Sequence, residues 1–290
     1  MYRAPQRRSG YPIPQPSKKA RKTMKQNGII VTVAAVVTCI LLLAFFQLHH
    51  KDVPTPGDKA KTNGAQTSPT GQQPAPASSA PPAGFDKNKF STADKASLWV
   101  VVNKQHPLNP KTYVPNNLVV PNIPLRSNIT STEKYVRSDM GSALETMIKD
   151  ASAAGIHLNL QSGYRSYSFQ VTLYNGYVKQ QGQAAADRQS ARPGYSEHQT
   201  GLAADLGGTS QPSCNVAECF GATAEGKWLA ANAYKYGFII RYTADKEPTT
   251  GYENEPWHIR YIGTDLSNEL HNQSVETLEE FFGITGGTAY

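Results

Sequence analysis

Cysteine is scarce in this chain, and acidic residues are missing from its beginning. The 290 residues include 3 cysteines, which is too few to complete the two cysteine pairs of a zinc knuckle. Residues 1–27 hold eight basic side chains and no acidic one. The rest of the chain therefore carries 21 basic and 22 acidic residues. Because that part is nearly neutral, the formal charge of +7 gives no argument for a nucleic-acid partner.

Aromatic residues are absent from residues 51–84, where Val53 is the single branched aliphatic side chain. Pro, Thr, Ser, Ala, Gln, Gly and Lys make up most of this stretch. Such a composition cannot bury enough apolar surface to offset its ordering entropy, so we predict a disordered linker over 49–89. Residues 1–27 are rich in Pro, Gln and basic residues, and we predict a disordered cytoplasmic tail there.

Charge is absent from residues 28–48, which read GIIVTVAAVVTCILLLAFFQL. A helix of about 20 apolar residues crosses the ~30 Å hydrocarbon core of a bilayer. A cleavable signal peptide is the alternative, but this run is longer than a usual signal-peptide core and no small-residue cleavage site follows it. We therefore expect an uncleaved transmembrane helix in the plasma membrane. The basic residues before it place the N-terminus in the cytoplasm and the remainder outside the cell.

The pattern of residues 90–290 predicts one α+β domain with a mostly antiparallel sheet, because helices and short strands do not alternate strictly. The apolar run 98–102 is typical of a buried strand. Alternating or apolar segments predict further strands at 158–161, 238–241 and 257–262. Residues at helical spacing predict three helices, one around 143–151, one from about 168 and one over about 226–236, with a short helix around Leu270.

The two remaining cysteines, Cys214 and Cys219, have four residues between them. A metal knuckle is one interpretation of this spacing, and a local disulfide is the other. Because an exported domain meets an oxidising environment, we expect a disulfide that closes a small loop. Cys39 lies in the apolar run and is expected to act as a small hydrophobe.

Two stretches of sequence together supply the ligands of a catalytic zinc site. The first contains His198 and, seven positions later, Asp205, with Gly201 between them where the backbone can turn sharply. The second contains His258 about fifty residues on. Two imidazoles and one carboxylate would leave the fourth position of a tetrahedral zinc ion open. The alternative is that each of the three residues is a separately satisfied polar side chain.

Two further side chains are candidates for catalysis. Glu255 precedes His258 by three positions and could act as the base that takes a proton from a zinc-bound water, or it could pair with Arg241 or Arg260 on the surface. Arg165 follows a predicted strand and could stabilise an oxyanion or hold a substrate carboxylate, or it could form a structural ion pair.

The arrangement of these motifs resembles the LAS metallopeptidases, which comprise lysostaphin-type enzymes, D-alanyl-D-alanine metallopeptidases and the sonic hedgehog zinc domain. More narrowly, it is similar to the VanY-type D-alanyl-D-alanine carboxypeptidases over roughly residues 98–265. The segments that carry the resemblance are Val102-Asn103-Lys104-x-His106-Pro107-Leu108, Ser162-Gly163-Tyr164-Arg165-Ser166, Pro193-Gly194-Tyr195-Ser196-Glu197-His198-Gln199-Thr200-Gly201, Ala203-x-Asp205 and Glu255-Pro256-Trp257-His258.

The resemblance implies a hedgehog/D,D-peptidase-like fold and one zinc ion bound by His198, Asp205 and His258. It also implies that Glu255 activates water and that Arg165 lies near the scissile carbonyl. Ser196 and Gln170 are expected to line the place of the terminal D-alanine. Two aromatic residues are further candidate substrate contacts, although such residues more often belong to the core or rim: Trp257 and Tyr242.

We therefore expect a membrane-anchored extracellular zinc D,D-carboxypeptidase that acts on peptidoglycan stem peptides. An L,D-carboxypeptidase that removes D-alanine from a tetrapeptide is the alternative within the enzyme class. A non-catalytic zinc module that binds a wall peptide is the alternative outside it, and Glu255 argues against that module because a binding site needs no base. An endopeptidase that cuts a cross-link is a third possibility.

Overall fold

The structure is a computed structural model that describes residues 84–130 and 132–290. The predicted tail, the predicted transmembrane helix and most of the predicted linker lie outside these residues. Within the described part, no helix is both long enough and apolar enough to cross a membrane. Ordered packing is already present at Phe85, whose ring stacks on Trp99 at 5.5 Å.

Seven helices and six strands are described in chain order. They are β1 (Leu118–Val119), β2 (Val136–Arg137), α1 (Ser138–Ala153), β3 (Leu158–Ser162), α2 (Tyr167–Gln181), α3 (Gln183–Gln189), β4 (Ala203–Gly208), α4 (Ala224–Asn232), β5 (Phe238–Tyr242), α5 (Glu247–Thr250), β6 (Glu255–Tyr261), α6 (Thr264–Gln273) and α7 (Leu278–Phe282). Short 3₁₀ turns join several of them.

The main sheet has four strands in the order β3-β4-β6-β5, and each neighbouring pair is antiparallel. The smaller sheet pairs β1 with β2, also antiparallel. All six residues of β4 are buried, as expected for a central strand. The structure thus confirms the predicted α+β class with an antiparallel sheet.

Helix α1 covers the sheet because its apolar residues recur at helical spacing. Met140, Leu144, Met147, Ile148 and Ala151 are buried and belong to the same core as the inward side chains of the strands. Spacings of three and four residues keep these side chains on one face of the helix. That face therefore fixes α1 against the sheet, as the sequence pattern predicts.

The prediction of a strand at 98–102 is wrong. These residues are buried, with Trp99 and Val102 each only 1% exposed, but they do not form a strand. Two of the carbonyl groups that a ladder would use, those of Leu98 and Val100, instead accept hydrogen bonds from Arg260 Nη2 at 3.0 and 2.9 Å. An apolar run identifies burial, but it does not identify the partner of the backbone.

Candidate metal centre and catalytic residues

Strand pairing brings two of the three candidate ligands together. Asp205 on β4 and His258 on β6 are direct partners in the antiparallel ladder, so their side chains lie side by side on one face of the sheet. His198 comes from a 3₁₀ turn, Glu197–Thr200, that ends at Gly201 with φ of 71°. This left-handed residue redirects the chain into β4 and lets Asp205 approach His198.

The three side chains form one compact cluster of possible metal ligands. One ligand atom from each lies within 4.8 Å of the others. Asp205 Oδ1 is 3.3 Å from His198 Nε2 and 3.2 Å from His258 Nδ1. Among the described residues, His198 Nε2 and Asp205 Oδ1 are buried without a hydrogen-bond partner. Buried polar atoms normally have partners, so these orphaned atoms fit a bound cation.

The other nitrogen of each imidazole is held by the protein. His198 Nδ1 lies 2.6 Å from the carbonyl oxygen of Gly163, which can only accept, so this nitrogen donates its proton. His258 Nε2 lies 3.4 Å from Glu197 Oε2. Each ring is thereby oriented with its remaining nitrogen toward Asp205, as outer contacts of metal-binding histidines usually arrange.

Glu255 lies beside the cluster at the start of β6, opposite Tyr242 of β5. Its Oε2 atom is 3.5 Å from His258 Nδ1. Burial raises the pKa of Glu255 to about 7. The interpretation that Glu255 pairs with Arg241 or Arg260 on the surface is wrong, because both arginines are buried and bind other carboxylates. Only 15% of the Glu255 side chain is exposed, and a partly buried carboxyl with a raised pKa is suited to proton transfer near neutral pH.

Arg165 reaches the cluster from the loop after β3. Its Nη1 atom donates to Asp205 Oδ2 at 3.3 Å and to Ser162 Oγ at 3.1 Å. Among the described residues its Nε atom is buried without a partner. The guanidinium therefore contacts one candidate ligand, Asp205, through Nη1.

A cavity opens over these groups, and most of the candidate substrate contacts line it. Arg165 and Glu255 line it together with the three candidate ligands, and so do Ser196, Tyr242 and Trp257. Gln170 is not one of the described residues that line the cavity. Its side chain is fully buried and donates to Ser190 Oγ at 3.2 Å and to Ala191 O at 2.7 Å, so it supports the wall from behind.

Sequence reasoning missed a buried ionic network behind the cluster. Glu197 Oε1 accepts from Arg241 Nε at 2.8 Å and from Arg260 Nη1 at 2.9 Å. Glu279 binds the other two nitrogens of Arg241 at 2.9 and 2.7 Å. Burial alone would raise the pKa of Glu197, but Arg241 and Arg260 hold that pKa below its ordinary value.

The sequence does contain one signal for this network. Residues two apart on a strand share a face, so Arg260 must lie on the same side of β6 as His258. An arginine beside a buried metal ligand requires a buried carboxylate partner. The identity of that partner could not be read from the pattern, because Glu197 lies 63 residues earlier in the chain.

Cys214 and Cys219 form a disulfide bond. The bond closes a small loop that follows β4. Cys214 is buried, and the spacing alone had left a metal knuckle open as an alternative.

Comparison with known proteins gives a consistent family. The VanY family model, described as D-alanyl-D-alanine carboxypeptidase, matches residues 133–264. The protein called "Putative carboxypeptidase YodJ" of Bacillus subtilis (strain 168) is 42% identical over 64% of this chain and 67% of its own length. A D-alanyl-D-alanine carboxypeptidase of Enterococcus faecium is 35% identical over 51% of this chain and 44% of its own length. This chain therefore spans less than half of the Enterococcus protein.

Two solved structures share the fold. The L,D-carboxypeptidase LdcB, solved in a study of peptidoglycan recognition, is 41% identical with a TM-score of 0.61, over 66% of this chain and 88% of that one. A vancomycin resistance D,D-pentapeptidase VanY in complex with Zn(II) is 30% identical with a TM-score of 0.53, over 65% of this chain and 99% of that one.

Proposed function

This chain belongs to the VanY family of D-alanyl-D-alanine carboxypeptidases, and from that premise we propose that it is a zinc D,D-carboxypeptidase of peptidoglycan stem peptides. The observation that carries the proposal is the buried cluster of His198, Asp205 and His258 with Glu255 beside it. A binding module would need ligands for zinc, but it would not need a partly buried carboxyl group poised for proton transfer beside them.

We assign the zinc ligands to His198 Nε2, one oxygen of Asp205 and His258 Nδ1. This donor set of two imidazoles and a carboxylate suits zinc and leaves a position open. When bound, zinc supplies Lewis-acid chemistry, which polarises a carbonyl group and makes water more acidic.

Glu255 acts as the general base in this proposal. Its carboxylate takes a proton from the attacking water and returns it to the leaving amine of D-alanine. Because only 15% of the Glu255 side chain is exposed, few waters compete for its Oε2 atom. Arg165 lines the cavity and supplies positive charge to the oxygen of the scissile carbonyl.

The location is the second part of the proposal. A transmembrane helix over residues 28–48 with its N-terminus in the cytoplasm would place the catalytic domain on the cell-wall side of the membrane. The uncharged apolar run and the eight basic residues before it support this topology. The 34 residues of 51–84, as a random coil, would span roughly 30 to 35 Å and hold the domain away from the lipid.

An L,D-carboxypeptidase is the second candidate, and one observation favours it. The L,D-carboxypeptidase LdcB shares 41% identity with this chain, whereas the D,D-pentapeptidase VanY shares 30%. Both reactions release a terminal D-alanine and both would use the same metal centre. They differ in the residue that precedes the released alanine.

Peptide hydrolysis tests the proposal directly. The purified full chain is incubated with a pentapeptide ending in D-Ala-D-Ala and, separately, with the tetrapeptide ending in one D-Ala, with chelator or with added zinc. Release of one alanine from the pentapeptide alone, abolished by chelator and restored by zinc, is the expected result. Release from the tetrapeptide would assign the L,D activity instead.

Two other outcomes would replace the proposal. If zinc binds and neither peptide changes, the protein is a zinc-dependent binding module. If purified wall releases halves of its cross-linked dimers without free alanine, the protein is an endopeptidase.

A further inference from the structure

The disulfide loop is tied to the strand that carries Asp205. Asn215 Oδ1 accepts from the backbone N–H of Gly208 at 2.8 Å, and Asn215 Nδ2 donates to the Gly208 carbonyl at 3.2 Å. A Cβ atom on Gly207 would lie only 2.6 Å from Asn215 Cγ, so the glycine is needed for this close approach. The loop is thus fixed at the end of β4, a short distance along the chain from the metal centre.

The loop holds Val216 in a backbone conformation that valine disfavours. Cys214 O accepts from Ala217 N at 3.1 Å, Asn215 has φ of −62° and ψ of 129°, and Val216 has φ of 56°. These values are typical of a type II turn, whose third position favours Gly or Asn. A β-branched residue in the left-handed region is strained. The turn itself therefore does not explain why valine occupies this position. A contact made by the valine side chain would explain it.

Val216 is at the mouth of the catalytic cavity. Its side chain lines the cavity that contains His198 and Glu255, yet the residue is 46% exposed. In a carboxypeptidase a single residue lies on the carboxyl side of the scissile bond, so the remainder of the peptide must leave through the mouth. The isopropyl group is therefore placed where the amino-terminal part of the substrate passes.

We propose that the loop Cys214–Cys219 is a specificity element and that Val216 packs against the aliphatic part of a substrate side chain on the amino side of the scissile bond. The disulfide holds Val216 in this position. The inference rests on the proposed function, because it takes the cavity to hold a peptide with a free carboxyl terminus. A long side chain such as that of lysine would lay its methylene groups on Val216 and extend its charged end into water.

The test compares two peptides that differ in one side chain. Both end as the stem peptide does, with L-lysine or L-alanine as the last L-residue before the D-alanine end, and each is made in tetrapeptide and pentapeptide form. The full chain and the variants Val216→Asn and Val216→Ile are loaded with zinc, and kcat/KM is measured for each peptide. Asparagine tolerates the left-handed conformation but lacks the apolar group, while isoleucine keeps both the branch and the apolar surface.

The expected result is a loss of preference for lysine in Val216→Asn alone. The ratio of kcat/KM for the lysine peptide to that for the alanine peptide should fall by between about 4-fold and 15-fold, which corresponds to one or two methyl groups removed from contact. Val216→Ile should keep the ratio within about 2-fold. If Val216→Asn also keeps the original ratio, the inference is overturned.

The disulfide gives an independent arm of the experiment. The double variant Cys214→Ser/Cys219→Ser should show the same loss of preference as Val216→Asn. Treatment of the original protein with a phosphine reductant should reproduce that loss and have no effect on the double variant. Zinc content is measured in each sample, so that loss of metal is not mistaken for opening of the loop. A ratio unchanged by reduction would remove the disulfide from the inference.

Peptide binding separates this inference from the proposed function. Dissociation constants for the same peptides are measured by calorimetry on the same proteins. If none is hydrolysed but Val216→Asn weakens binding of the lysine peptide selectively, the carboxypeptidase proposal fails and the specificity element stands. If the peptides are hydrolysed and Val216→Asn changes neither the ratio of kcat/KM values nor the ratio of dissociation constants for the lysine and alanine peptides, the specificity element fails and the carboxypeptidase proposal stands.

Discussion

Replacing Glu197 by glutamine tests whether the buried ionic network supports the metal centre. Glu197 links Arg241 and Arg260, both at most 1% exposed, to His258. The glutamine keeps the shape but removes the charge, so Arg260 would lose its carboxylate partner and Arg241 would keep only that of Glu279. Breaking a buried ion pair in this way costs about 3–5 kcal/mol.

Two measurements give the expected magnitudes. For a domain of this size, that loss corresponds to a fall in Tm of roughly 6 to 20 °C in the metal-free protein. His258 Nε2 would also lose its anionic acceptor, and loss of such an outer contact weakens metal affinity by about 10- to 100-fold. Calorimetric melting without zinc and competition with a chromophoric chelator measure the two effects separately.

Glu279→Gln is the matched control. It removes the same charge from the same network, and none of the hydrogen bonds recorded for Glu279 in the described residues reaches His258. We therefore expect a similar fall in Tm with zinc affinity within about 2-fold of the original. If Glu279→Gln weakens zinc binding as much as Glu197→Gln, the effect comes from general destabilisation, and the argument for a specific role of Glu197 is refuted.

Three further changes have defined outcomes. Glu255→Gln should retain zinc while kcat falls by about 10²- to 10⁴-fold, and undiminished turnover would remove Glu255 from catalysis. Zinc affinity should rise with pH by up to about tenfold per unit until pH 9. Burial alone would lower the pKa of His258, but the neighbouring carboxylates of Asp205 and Glu197 raise it to about 9 in the metal-free protein. Chelator competition between pH 6 and 9.5 measures this, and a flat profile would contradict it. Gly201→Ala should destabilise the folded protein by about 1–3 kcal/mol, because φ of Gly201 is +71°. Gly176→Ala within α2 should instead stabilise the folded protein by up to about 1 kcal/mol. Urea unfolding compares the two variants, and equal changes in the free energy of unfolding would contradict the strain assigned to position 201.

Sequence spacing predicted which three side chains lie together, because the chemistry of zinc ligands is restrictive. Two imidazoles, one carboxylate and a sharp turn at Gly201 point to a zinc site before any fold is known, and the structure brings those three side chains together. Helix α1 was equally accessible, because its apolar residues repeat at a period that few other structures share. In both cases the signal is local or carried by residue types with narrow roles.

Long-range partners could not be predicted in the same way. The apolar composition of residues 98–102 predicts burial, and from burial we predict a strand. The carbonyl groups of Leu98 and Val100 instead accept hydrogen bonds from the side chain of Arg260, far along the chain. Gln170 was expected in the cavity and instead lies behind its wall. Both outcomes depend on which residues from distant parts of the chain pack against the segment. The spacing of residues within the segment does not identify those residues.

The register of β4 against β6 connects the fold to the metal centre. Because side chains alternate along a strand, a slip of one residue would turn His258 away from Asp205 and Arg260 away from Glu197 together. The slipped sheet would bury an arginine without its carboxylate, which costs several kcal/mol. Glu197, adjacent in sequence to His198, therefore stabilises the one register in which the ligands meet. The ion pair between Glu197 and Arg260 therefore favours the register that places Asp205 beside His258, and it does so without a bound metal.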